Sequence, residues 1–362
     1  MRILVFEFAS GGGCAASPLP ASLVREGRAM LTALLTDLVA IGRHTIVTTS
    51  DRRLALRVPR GVDVVTIGPE AAPLPDNLVS SVDAVWLIAP ETDGCLEQLA
   101  SRIERAGKTL LGTGSAAIRR AADKRQLPRR LARCGLAHPP TRVLHHGVDA
   151  IAVAADLGYP IVVKPSRGAG CCGVSLARNP RALRAAIDAT SSGALKQEIL
   201  LQHHVRGVSA SVSLLCDGRR AVAVSVNAQA IRAGSTFLYR GGSTPLDHPL
   251  ADRALDAAIR TCESFPGLRG YVGVDLVLSA AEAVVIEINP RLTTAYLGVR
   301  EAVNGNMAAM ALHACSGSLP APPRLERRVR FTARGHVIST PLDLSLSNDE
   351  LMVRQAHHER ET

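Results

Sequence analysis

The sequence predicts an α/β protein that opens with a doubly wound parallel sheet and continues as α+β. Two observations carry that expectation. Short apolar runs alternate with helical segments through about residue 115, and strand–helix alternation of this kind winds a parallel sheet. Further on, apolar runs come in close pairs, as in Val274–Leu278 and Ala283–Ile288, with only Ser279–Glu282 between them. That is hairpin spacing.

In the first part, strands are expected at Ile3–Phe8, Thr45–Thr49, Val62–Ile67, Ala84–Ile88 and Thr109–Leu111. Between them, Ser22–Ile41 places Leu23, Met30, Leu31, Leu34, Leu35 and Leu38 at helical spacing, and Cys95–Ala106 also reads as a helix. After the first strand stands Ser10-Gly11-Gly12-Gly13. It occupies the carboxyl end of a strand, where such sheets bind ligands, but lacks GxGxxG spacing. A ligand loop and a plain turn are equally compatible with it.

Ala116–Cys134 reads as helix interrupted at Pro128, and Gly135–Pro140 stops it and leads into an extended segment. Then come a strand at Ile161–Lys164, a helix at Asn179–Thr190, strands at Ile199–Gln202 and Ser209–Cys216, and a helix over Pro249–Phe265. The polar tail beyond Leu344 is expected to fray, with His357-His358 solvated rather than metal-bound.

Composition narrows the function. The 362 residues are 47% hydrophobic and 20% charged, an ordinary globular balance. No apolar run reaches the ~18 residues of a membrane helix, and MRILVFEF is too short and too early for a signal peptide. A cytoplasmic location is expected. The eight cysteines form no CxxC pair, so neither a metal cluster nor a disulfide framework is expected. The net charge of +10 comes from scattered arginines with only 3% aromatics. This argues against a nucleic-acid surface and suits an anionic substrate.

Two motifs carry chemistry. In Pro160-Ile-Val-Val-Lys164-Pro-Ser-Arg-Gly168-Ala-Gly170-Cys-Cys-Gly173-Val174 a lysine closes an apolar strand and a glycine-rich loop follows. Glycines let backbone N–H groups approach phosphate, and lysine adds a point charge. In Val274-Asp275 and Val285-Ile-Glu287-Ile-Asn289-Pro-Arg291 apolar strands carry oxygen donors. Glu287 and Asn289 are two apart and so share a face, and Asp275 on the neighbouring strand can join them. Hard oxygen ligands of this kind suit Mg²⁺ on ATP phosphates, with Mn²⁺ as a substitute. Arg291 is placed to stabilise a transferring phosphoryl group.

The two motifs, in this order, resemble the ATP-grasp superfamily. Ala122-Asp123-Lys124 with Gly135-Leu-Ala-His-Pro139 is similar to the entry into its nucleotide-binding lobe, and Leu200-Leu-Gln202-His203-His204-Val205-Arg-Gly207 to its hinge. The resemblance implies that Lys124 and Lys164 contact ATP phosphates under a loop carrying Gly168, Gly170 and Gly173. It further implies that Gln202, His203, His204 and Val205 line the adenine site. Asp275, Glu287 and Asn289 would hold the metal, and Arg291 would act in phosphoryl transfer. It departs at Ser209, where many members have a ribose-contacting Glu, and at Gln202-His203, which replaces an acidic pair.

The implied domains are a Rossmann-like pre-ATP-grasp domain (1–115), an N-lobe (116–198), a C-lobe with the metal site (199–344) and the tail (345–362). A finer resemblance, to the tyramine–L-glutamate ligases, rests on Phe6-Glu7-Phe8-Ala9-Ser10-Gly11-Gly12, Ala89-Pro90-Glu91-Thr92-Asp93-Gly94, Tyr239-Arg-Gly241-Gly242 and Asn289-Pro-Arg291-Leu-Thr293-Thr294-Ala-Tyr296. It implies amide formation between glutamate and tyramine in the making of a methanofuran-type C1 carrier, with a homodimer as a candidate assembly. Addition of glutamate to a polyglutamyl tail, and a catalytically dead ATP-binding regulator, are the alternatives. His248 and Tyr239 are candidate bases for the amine.

Overall fold

The computed structural model of the chain describes all residues except 15–16, 69, 71, 73, 192–197 and 343–362. The tail beyond Leu344, with His357 and His358, lies outside the described residues.

The first part folds as expected. β1 (Arg2–Glu7), β2 (Thr45–Asp51), β3 (Val62–Ile67), β4 (Ala84–Ile88) and β5 (Thr109–Leu110) form a parallel sheet in the order β3-β2-β1-β4-β5. The central strand β1 is buried from Ile3 to Glu7, which is why it reads as an unbroken apolar run. The helices here are α1 (Ala21–Ala40), α2 (Asp76–Ser80) and α3 (Cys95–Arg105). α1 buries Val24, Gly27, Met30, Leu31, Leu34, Leu35 and Leu38 along one stripe, with Asp37 among them. Strand order reverses between β1 and β4, so the segments leaving their carboxyl ends flank the crevice where such sheets bind ligands.

The serine–glycine segment after β1 is a packed turn. The backbone N–H groups of Ala9 and Ser10 donate to the Glu7 carboxylate at 3.0 and 2.6 Å. Those of Gly11 and Gly13 go to the carbonyls of Glu7 and Phe8. Four of its N–H donors are thus engaged internally.

Residues 115–133 form two helices, α4 (Ser115–Ala121) and α5 (Leu127–Arg133), instead of one helix interrupted at Pro128. Pro128 lies in the first turn of α5, where its missing N–H costs nothing. The break falls at residues 122–126. There the Asp123 carboxylate accepts from the Arg125 backbone, the Arg125 guanidinium and Gln126. These helices pack Ala121, Leu127 and Leu131 into a core shared with Val212 and Val274 of the large sheet.

A small antiparallel sheet follows, in the order β6-β9-β7-β8: β6 (Thr141–Leu144), β7 (Ile161–Pro165), β8 (Ser175–Ala177) and β9 (Ile199–His203), with α6 (Ala150–Leu157) and α7 (Pro180–Ser191) beside it. β9 belongs to this sheet, so the change of sheet comes after His203 and not at 198/199.

The large sheet is antiparallel, in the order β14-β13-β10-β11-β12-β15-β16. Its strands are β10 (Val208–Asp217), β11 (Ala221–Ala233), β12 (Phe237–Thr244), β13 (Arg269–Leu278), β14 (Ala283–Asn289), β15 (Arg327–Thr332) and β16 (Val337–Pro341). α8 (Ala251–Glu263) covers one side. On the other side lie α9 (Tyr296–Ala302) and α10 (Met307–Cys315), whose Tyr296 and Met307 share a core with Leu31 of α1 and Leu215 of β10. A polar knot reinforces this contact. Buried Asp37 of α1 accepts from Tyr296 and from Arg300 Nε and Nη2, the latter two at 3.0 and 2.6 Å.

Candidate active site

A cavity of about 480 Å³ lies between the small and large sheets, lined among others by Lys164, Gln202, Tyr239, Asp275, Glu287 and Arg291. Asp275 and Glu287 stand directly opposite on β13 and β14, with Asn289 opposite Gly273. One strand pairing therefore brings three predicted donors to one face.

The Asp275 oxygens accept from Gln229 at 2.9 Å and from Asn289 at 3.1 Å. Burial, reinforced by the charge of Glu287, pushes the Asp275 carboxyl up to about 7. Burial pushes Glu287 the same way, but the ammonium groups of Lys124 and Lys164 outweigh it and hold Glu287 below the usual carboxylate range. A cation placed between the two facing carboxylates would let both ionise. The donor set of two carboxylates and an amide oxygen fits Mg²⁺, a hard cation. Among the described residues no group of three or more His, Cys, Asp or Glu could hold a metal. The set at Asp275 does not depend on such a group, because Asn289 is its third member.

Lys124 stands in the break between α4 and α5. It lies 3.1 Å from Glu287 Oε2 and donates to the Gly168 carbonyl at 2.7 Å. Lys164, next to last in β7, is 4% exposed and donates to Gln202 Oε1 at 2.9 Å. Burial drives its pKa down to about 8, opposed by Glu287 and assisted by Lys124.

The glycine loop joins β7 to β8. Gly170 lines the cavity at φ +59°, a conformation that favours glycine. Gly173, at φ +71°, lies against Pro165. The loop is tied to the first sheet's segment by Ala169 N–H donating to Thr92 at 3.2 Å and by Arg167 with Glu97, also at 3.2 Å.

His203, His204 and Val205 line the cavity beside Gln202. The Nδ1 of His204 is buried there without a hydrogen-bond partner, which leaves a polar atom for a bound base to satisfy. Ser209, where the resemblance expected a ribose contact, lines the same cavity.

Arg291 reaches the cavity with its fork already engaged. Its Nε and Nη2 donate to the two Glu91 oxygens at 2.9 and 3.0 Å, and its Nη1 donates to the Leu292 carbonyl. It was expected to point toward a phosphoryl group, and it sits instead in a bidentate ion pair with the segment after β4. Of the two candidate bases, His248 accepts from the Leu250 backbone and is absent from the cavity wall, whereas Tyr239 is part of it. Tyr296, part of the finer motif, is fully buried in the Asp37 knot.

Comparison with known proteins agrees with this geometry. The model of the ATP-grasp domain matches residues 121–295, and that of the pre ATP-grasp 3 domain matches residues 44–118. Residues 121–295 are an ATP-grasp domain. The fold of the chain is accordingly an ATP-grasp fold preceded by a pre-ATP-grasp domain built on a parallel sheet.

The carbamoyl phosphate synthase large chain of Neisseria gonorrhoeae is 25% identical over 61% of this chain, which spans only 21% of that relative. Three solved structures share the fold. A putative ATP-grasp superfamily protein from Archaeoglobus fulgidus superposes with a TM-score of 0.67 at 23% identity, covering 95% of this chain and all of the other. An L-amino acid ligase from Bacillus licheniformis gives 0.67 at 15%, covering 91% and 79%. The biotin carboxylase domain of a Hydrogenobacter thermophilus 2-oxoglutarate carboxylase, solved with MgADP, gives 0.72 at 15%, covering 91% and 73%.

No helix among the described residues is long and apolar enough to cross a membrane. Sequence reading missed Gln229, Glu91 and Glu26 as members of this neighbourhood. The only hint was that Glu91 stands in one of the short motifs that suggested the finer resemblance.

Proposed function

We propose that the chain is an ATP-dependent ligase that joins a carboxylic acid to an amine through an acyl-phosphate, releasing ADP and phosphate. The observation that carries this reading is the convergence of Lys164, Asp275, Glu287 and Asn289 on one cavity, with Lys124 bonded to Glu287. Two lysines and a divalent-metal site in one enclosure suit the phosphates of a nucleotide.

In this reading the acid's carboxylate attacks the γ-phosphorus, and the bond to ADP breaks. The amine then attacks the acyl carbon, and phosphate leaves. Little covalent chemistry falls to the protein, which positions the reactants and neutralises charge. Lys124 and Lys164 hold phosphate oxygens under the glycine loop, and the segment Gln202–Val205 receives the base. Asp275, Glu287 and Asn289 would hold Mg²⁺, which would supply neutralisation of phosphate charge. Arg291, held by Glu91 on the cavity wall, supplies positive charge beside the transferring group.

The finer reading takes glutamate as the acid and tyramine as the amine, in the synthesis of a methanofuran-type C1 carrier. Its support is the motif set around Glu7, Glu91, Tyr239 and Arg291, of which Tyr239 and Arg291 line the cavity. The test is to incubate the protein with MgATP, glutamate and a panel of amines, and to follow nucleotide and amide together. The expected result is one ADP per amide, with tyramine the preferred amine. AMP and pyrophosphate would mean adenylation and a different class of enzyme. Turnover with a polyglutamyl acceptor but not with tyramine would replace the finer reading.

A further inference from the structure

We infer that Glu26 is a substrate-specificity residue that receives the ammonium group of an amine-bearing substrate. This rests on the reading of the chain as a carboxylate–amine ligase. Glu26 lies in α1 and lines the same cavity as the metal ligands. The other charges on that wall already have partners. Arg291 is forked onto Glu91, Glu287 is held by Lys124, and Asp275 accepts from Gln229 and Asn289 beside the proposed metal. Glu26 has only a hydroxyl, that of Thr294, donating to its Oε1, and it enters no ion pair among the described residues. A carboxylate on a cavity wall with no ion-pair partner of its own attracts a cationic guest.

Its position is fixed from behind. The next residue, Gly27, approaches the Glu7 carboxylate so closely that a Cβ there would lie 2.2 Å from Oε1. α1 is therefore seated directly on the end of β1, and Glu26 projects from a helix with no slack. Beside it, Tyr239 supplies an aromatic wall. Burial and the charge of Glu26 push its phenol well above the ordinary tyrosine range, so it stays neutral. Both substrates of the proposed reaction carry a primary ammonium, glutamate on its α-carbon and tyramine at its chain end. The experiment decides which of the two Glu26 holds.

Glu26→Gln keeps the oxygen to which Thr294 donates and removes only the charge. Full-length wild type and variant are assayed for amide and ADP with glutamate and tyramine, and with a panel of other amino acids and amines. For the pair that wild type joins, Glu26→Gln should raise the KM of one ammonium-bearing substrate roughly ten- to a hundredfold, the worth of a hydrogen bond to a charged group. The KM for ATP should stay within about twofold. Deaminated analogues, glutarate for glutamate and 4-ethylphenol for tyramine, should inhibit both proteins equally. Thr294→Val keeps the charge and should leave these constants within about threefold.

Unchanged KM values for both substrates, or an equal loss of the deaminated analogues, would overturn the assignment. If wild type joins a different acid and amine, the same reading on that pair decides, and unchanged KM values for both in Glu26→Gln overturn the assignment. A wild type that makes no ADP with any pair would remove the ligase reading and the role of Glu26 together.

Discussion

The cavity has two kinds of wall. One is made by the ATP-grasp segment itself, where Lys164, Asp275, Glu287 and Asn289 stand on strands and the glycine loop lies beside them. The other is borrowed from the first sheet, which sends Glu26 into the cavity from α1 and Glu91 onto Arg291 from the segment after β4. In the first wall the three proposed metal donors come from one hairpin, and Lys164 with the glycine loop from one strand connection of the small sheet. The second depends on contacts across 268 residues for Glu26–Thr294 and 200 for Glu91–Arg291. The proposed metal donors are thus local to one hairpin, whereas the wall proposed to meet the variable substrate is assembled over long range.

The largest expected effect belongs to the first wall. Glu287→Gln removes a metal-ligand charge worth several kcal/mol, so kcat should fall roughly a thousandfold while the thermal midpoint holds. Near-normal turnover at saturating Mg²⁺ would show that this wall does not carry the metal.

Next comes the seam between the walls. Arg291→Lys loses the planar fork that grips Glu91, and an ammonium cannot reproduce it. A drop of about a hundredfold in kcat, near 3 kcal/mol, is expected with ATP affinity unchanged. If kcat per folded molecule survives and only the melting temperature falls, Arg291 is a strut between domains and the two walls are chemically independent.

A smaller loss should follow from Gly170→Val, which strains a backbone held at φ +59°. The KM for ATP should rise about tenfold with little change in kcat. An unchanged KM in the folded variant would mean that the loop does not cover the phosphates.

Smallest of all should be Thr92→Val, which cuts the one hydrogen bond from the first sheet's segment to Ala169 of the loop. A rise of about threefold in the KM for ATP, matching a single neutral hydrogen bond, is expected. An effect as large as that at Gly170 would mean that the loop is held by the other domain and would erase the distinction between the walls.

That distinction also explains what sequence could show. Asp275, Glu287 and Asn289 were legible because polar donors interrupt apolar strands, and strand periodicity then states which donors share a face. Lys164 was legible because it closes such a strand before a glycine loop. Glu26 lies in Arg25-Glu26-Gly27-Arg28, a charged stretch indistinguishable from any solvated helix face until the helix is docked. β11 escaped notice because AVAVSVNAQAIRA alternates small residues, and so Gln229 had no strand to stand on. The break at Lys124 was placed too late because proline is the loudest helix breaker in sequence, whereas the actual break is closed by Asp123 side-chain bonds.

The Glu91–Arg291 fork and the Asp37 knot have a consequence for engineering. Exchanging residues 1–110 for the matching module of another ATP-grasp ligase would transplant the borrowed wall, and with it the choice of guest, onto an unaltered phosphate-handling chassis. Such a graft would need Arg291, Tyr296 and Arg300 to meet an acceptor at position 91 and another at position 37. Those two acidic positions are the sockets of the module. A donor lacking either would leave a buried guanidinium without its counter-ion, at about 3–5 kcal/mol. Compatibility between modules can therefore be screened from two columns of sequence before any chimera is built.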